Sequence, residues 1–126
     1  MDTPKPPEFS TSSSELAAQL ISNSVPLVID VRKNSTYLAS EYTLPSAIRR
    51  DPLEITTWVT EMPISRSVVV YCVHGHQVSQ EAMVTLRQHG IKATYLLGWI
   101  ENWRSAGLPI MNKSTTTNES ENGTPA

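Results

Sequence analysis

The stretch VVVYCVHGHQVS, residues 68–79, decides the fold. Its opening valines and tyrosine form an unbroken run of β-type apolar residues, the pattern of a strand buried on both faces. Cys72, the chain's one cysteine, ends that run, and His74, Gly75 and His76 follow it directly. Beyond them Val78, Ala82, Met83 and Leu86 recur at helical spacing, up to Gly90, a natural C-terminal stop. Strand, short loop and helix in that order belong to a parallel crossover unit.

The neighbouring segments repeat the alternation. PLVIDV, residues 26–31, is another continuous apolar run, closed by Asp30 and followed by Arg32. Residues 93–97 read as a further strand, and Ile100, Trp103 and Arg104 as a last short helix stopped by Gly107 and Pro109. Ser12 and Glu15 have capping-box spacing ahead of Leu16, Ala17, Leu20 and Ile21. Asn34 is expected to cap a helix to about Glu41, which Pro45 breaks. Ala47 and Ile48 should form a short strand. Asp51 and Pro52 should open a helix that carries Leu53, Ile55 and Trp58 and stops near Met62. The order predicts an α/β domain, a mostly parallel central sheet with helices on both faces. In such sheets sites form beyond the carboxyl ends of strands, so Cys72 and the Asp30–Arg32 segment should be neighbours.

The chain has 126 residues, enough for one domain. Residues 1–11 are rich in proline and polar side chains, and residues 112–126 hold no large apolar one. Both ends are expected to be disordered tails around a domain at residues 12–111, because neither buries enough surface to offset its ordering entropy. A net charge of −2 with no basic stripe speaks against nucleic acid as a partner. The apolar runs are strand-length, so no membrane span is expected. No charged start leads into an apolar stretch at the N-terminus, so a cytoplasmic location is expected.

The chemistry gathers around Cys72. Gly75 allows a tight loop, and a tight loop entering a helix turns successive N–H groups inward as an anion-binding nest. The helix start adds partial positive charge. A thiolate in that cup should be stabilised, so Cys72 should ionise more easily than a free thiol. His74 and His76 can donate hydrogen bonds, or carry charge when protonated. A local Cys-x-His-x-His metal site lacks a clear fourth ligand, so no metal is expected. Asp30 and Arg32 read as an ion pair or brace at the strand ends.

These residues resemble the single-domain rhodaneses, sulfurtransferases of the thiosulfate:cyanide type. VIDVR at residues 28–32 is similar to the family's strand-end Asp-Val-Arg. TLPSA at residues 43–47 is similar to its His-Ile-Pro-Gly-Ala, with Thr43 and Ser46 as departures. Residues 68–79 are similar to its active-site strand and loop, and YLLGWIENWRSAGLPI at residues 95–110 to its closing segment. The resemblance implies a rhodanese-like fold with Cys72 as catalytic nucleophile, taking a sulfane sulfur from a donor such as thiosulfate. It would pass that sulfur to cyanide, a thiol or a protein acceptor. The N–H groups of Val73, His74, Gly75, His76, Gln77 and Val78 would bind the persulfide. Asp30, Arg32 and Trp99 would support the site, and the resemblance implies no cofactor. Val73, Gln77 and Val78 stand where many members carry Arg or Lys, which implies weaker thiosulfate binding. Trp99 stands in place of the second glycine of the family's usual pair, at the mouth of the expected site. Phosphatases of the same fold use Cys, five residues, Arg; here Val78 takes the arginine's place. The alternative is a catalytically idle module for protein interaction or redox sensing.

Overall fold

The computed structural model describes residues 9–72 and 77–113. The apolar run at residues 68–71 becomes β5 (Val68–Tyr71), the middle of a five-stranded sheet. On one side lies β2 (Leu27–Asp30), with β4 (Ile48–Arg49) outside it. On the other lies β6 (Ala93–Leu96), with β1 (Ser10–Thr11) outside it. Every pair in this sheet is parallel. A two-stranded antiparallel ribbon, β3 (Tyr42–Thr43) with β7 (Met111–Asn112), stands apart from it.

Alternating side chains of the sheet enter two cores. Ile29, Val68 and Val70 face one side, and Val28, Val69 and Tyr71 face the other. The first side is covered by α3 (Ile55–Trp58) and α4 (Gln77–Gln88), which contribute Trp58, Ala82, Met83 and Leu86. The second is covered by α1 (Ser13–Leu20) and α5 (Trp99–Ser105), which contribute Leu16, Ile100 and Trp103. Each such aliphatic side chain gains about 1.5–3 kcal/mol on full burial. Helices therefore lie on both faces of a parallel sheet, as the alternation of segments requires.

The local signals hold where they are strongest. Ser12 Oγ accepts from the Glu15 N–H at 3.1 Å while the Glu15 carboxylate accepts from the Ser12 N–H at 2.8 Å. Gly90 ends α4 at φ 83°. Other signals are corrected. α2 (Asn34–Ala39) starts after Lys33, and Asn34 is its first residue rather than its cap. Asp51 does cap, its carboxylate accepting from Leu53 N–H at 2.9 Å, but the segment opens as a tight 3-10 turn. Leu53 consequently points outward, 87% exposed.

The expected tails also lose their inner ends to the fold. Ser10 and Thr11 complete the free edge of β6, and Leu97 N–H donates to Thr11 O at 2.9 Å. Phe9 packs on the core beneath the Arg87 guanidinium, 4.0 Å from its ring centroid. At the other end, Asn112 pairs with Tyr42, and Lys113 Nζ donates to the Tyr37 and Ser40 carbonyls at the close of α2. Backbone pairing holds these segments, and composition does not reveal it.

Candidate active site

Cys72 follows the last residue of β5, at the carboxyl end of the sheet's middle strand. It is 2% exposed and packs among the side chains of the α3–α4 core. Its carbonyl accepts from Ile100 N–H at 3.3 Å, tying the strand end to α5. Its thiol donates to Ser79 Oγ, 3.3 Å away in the first turn of α4. The expectation of an easily ionised thiol is corrected by these surroundings. Burial pushes the Cys72 thiol up, the Ser79 hydroxyl and backbone N–H pull it back, and the charge of Asp30 adds a further upward push. The upward direction wins because the sulfur lies against core side chains, where an anion is poorly solvated.

The ends of β2 and β5 meet beside it. Asp30 is in register with Tyr71, and Val31 N–H donates to Tyr71 O at 2.9 Å. Arg32 Nη2 and Asp30 Oδ2 are 2.7 Å apart, and Arg32 Nε reaches both carboxylate oxygens at 3.0 Å. Tyr71 Oη donates to Asp30 Oδ2 at 2.9 Å and accepts from Leu44 N–H at 3.3 Å. Arg32 Nη2 also donates to Tyr42 O at 3.0 Å. Burial works against the Arg32 charge, but Asp30 outweighs it and holds the guanidinium above its ordinary value. A buried carboxylate with this many donors joins β2, β5 and the segment around β3 into one rigid floor. Asp30 and Arg32 thus form a buried ion pair that braces the strand ends.

Of the other expected site residues, only Gln77 and Val78 have described side chains. Val73, His74, Gly75 and His76 lie outside the described residues, as does the side chain of Trp99. Gln77 is exposed and donates to Glu81 Oε2 at 3.3 Å, across one turn of α4. Val78 is half-buried against the Cys72 core. With Ala82 it forms one side of a 440 Å³ cleft whose other side includes Pro52, Leu53 and Ile55. Sequence reasoning missed Ser79. The signal was present, since Ser79 heads the stripe Ser79, Ala82, Met83, Leu86 that α4 buries.

Similarity to known proteins follows the same plan. A full-length protein from Lactobacillus plantarum superposes with a TM-score of 0.73 at 22% identity, covering 83% of this chain and 88% of that one. A rhodanese-related protein from Thermoplasma volcanium gives 0.69 at 20% identity, covering 81% and 96%. A protein of unknown function from Rhodopseudomonas palustris, described as a possible tyrosine phosphatase, gives 0.69 at 22%, covering 82% and 85%. At these identities the likeness is one of fold. In sequence, the rhodanese-like domain pattern matches residues 12–106. That span takes in α1 to α5 and all of the central sheet except β1, and on it the chain belongs to the rhodanese-like domain family.

Proposed function

We propose that this protein is a sulfurtransferase that carries a sulfane sulfur on Cys72. The observation that carries the reading is the placement of the chain's one thiol. It ends the middle strand of the sheet, against the first turn of α4, in a domain of this family. The Cys72 proton leaves to solvent, and the thiolate attacks the outer sulfur of a donor such as thiosulfate. A new S–S bond forms at Cys72, the donor's S–S bond breaks, and sulfite departs with its electron pair. The persulfide keeps the single negative charge of the thiolate. Cyanide or an organic thiolate then takes the terminal sulfur, leaving as thiocyanate or as a persulfide, and Cys72 returns as thiolate. N–H groups of residues 73–78 hold the anion in both forms. The apolar side of the cleft at Val78 and Ala82 offers an organic acceptor a surface to lie on.

With Val73 beside Cys72, and Gln77 and Val78 opening α4, thiosulfate meets no arginine or lysine at these positions. His74 and His76 gain charge as pH falls towards their reference of about 6.5, so KM for thiosulfate is expected to fall in the same direction. Burial of Cys72 and the upward push on its thiol favour a second reading, a catalytically idle interaction module, and tell against the redox-sensing form of it, since reversible oxidation needs an exposed thiolate. Phosphate-ester hydrolysis is disfavoured, because Val78 stands six residues after Cys72 and packs on the core instead of offering a guanidinium. The test is intact mass after thiosulfate or polysulfide. Gain of one sulfur atom by the parent and none by Cys72→Ser supports the transferase. No gain from any sulfane donor supports the module.

A further inference from the structure

A helix that buries one stripe fills it with apolar side chains, and α4 does so at Ala82, Met83 and Leu86. The stripe's first position is Ser79, a hydroxyl only 1% exposed. A buried hydroxyl requires a polar partner, and this one faces a sulfur, with Ser79 Oγ 3.3 Å from Cys72 Sγ. The backbone N–H of Ser79 also bonds that sulfur. The N–H groups of a helix's first turn have no carbonyl to meet within the helix, so this donor is at no cost to α4.

We propose that Ser79 is the positioning residue of Cys72, its hydroxyl and backbone N–H together holding the sulfur and following its change of charge. The proposal rests on the reading of Cys72 as nucleophile. A serine hydroxyl both donates and accepts and rotates freely. With the thiol protonated, Oγ accepts the S–H. Once the proton has left, the hydroxyl turns and donates to the anion, while the N–H donates in both states. The same pair of donors faces the inner sulfur of the persulfide and fixes the direction in which its outer sulfur projects.

The surrounding charges leave this task to Ser79. Asp30 opposes ionisation from the end of β2, and its carboxylate is already engaged by Arg32 and Tyr71. On α4, Glu81 is engaged by Gln77 on the exposed side. On α5, Arg104 stacks on the Tyr42 ring at 5.3 Å, and Glu101 borders a surface hollow with Arg32. His74 and His76 lie outside the described residues and stay constant in every variant of the test.

The experiment titrates the thiolate of the full chain by its ultraviolet absorbance, with Cys72→Ser as the blank. Alongside it, persulfide formation is timed by intact mass. Ser79→Ala is expected to raise the midpoint by about one pH unit, the scale of one charge-assisted hydrogen bond. Sulfur uptake at neutral pH then slows about tenfold, with the thiolate fraction, while KM for the donor is unchanged. Ser79→Thr, which keeps the hydroxyl, returns the midpoint to the parent's value. Should the alanine variant not fold, Ser79→Val set against Ser79→Thr, the same shape without and with the hydroxyl, supplies the same comparison. An unmoved midpoint without the hydroxyl, or a threonine variant displaced as far as alanine, overturns the proposal. Sulfur uptake with an unmoved midpoint sinks Ser79 alone. A moved midpoint in a chain that never takes up sulfur sinks the transferase reading and keeps Ser79 as the residue that holds the thiolate.

Discussion

At the scale of residues, the neighbours of Cys72 favour its protonated form, and this reaches stability as well as chemistry. Its folded value lies above the unfolded value of about 8.5, so its contribution is complete below that pH. The contribution is lost as pH rises through the folded value. Tyr71, pushed well up by burial and then by Asp30, acts the same way above about pH 10. Urea midpoints are therefore expected to fall on the alkaline side, and to fall less in Cys72→Ser. Equal declines in the two proteins would show that Cys72 ionises as freely folded as unfolded. Tyr71→Phe keeps the ring in the core but strands Asp30 Oδ2 and Leu44 N–H of a partner each. Its expected loss is about 1–3 kcal/mol, read from the same titrations. Cys72 and the Asp30–Arg32 pair were legible in the sequence because strand ends are marked by abrupt changes in polarity. The sense of the thiol's shift was not, because it depends on what α3 and α4 bring against the sulfur.

At the scale of elements, caps and glycines give clean tests. Ser12→Ala removes the side-chain half of the reciprocal pair that begins α1, the bond from Glu15 N–H to Ser12 Oγ, and should lower stability by about 1 kcal/mol. Ser46 is the one described non-glycine residue at positive φ, 58°, where an L side chain costs about 1–2 kcal/mol. Ser46→Gly relieves that strain but loosens the unfolded chain, so a net gain of about 0.5–1 kcal/mol is expected. A lower thermal midpoint in that variant would show that Ser46 Oγ, which donates to Pro45 O at 2.6 Å, matters more than the strain. β2, β5, β6 and the helices α1, α4 and α5 could be read from period and capping. Of the two-residue strands, β4 reads one residue early, at Ala47 and Ile48, while β1, β3 and β7 could not be read, since so short a segment has no period and becomes a strand only through its partner. α3 was blurred for a related reason, being one short turn set between two 3-10 turns.

At the scale of the molecule, two cores share one sheet, and the chain's N-terminal strand seals one edge of it. Deletion of residues 1–11 removes Phe9, the pairing of Ser10 and Thr11, and the acceptor for Leu97 N–H. The expected loss is about 2 kcal/mol, from the buried ring and the bonds together. Phe9→Ala should reproduce part of it, and an unchanged melting temperature after the deletion would show that the edge closes without β1. The same pairing carries a consequence for time. Ser10 meets Tyr95 and Thr11 meets Leu96, so, of the central sheet's described strands, the first to be made is paired with the last. Synthesis runs at about 5–20 residues per second, so β1 waits for several seconds after it emerges, and the β6 edge is born bare. Closing so long a loop costs chain entropy that the nearer pairings do not, so β1 is expected to dock after the middle strands have paired.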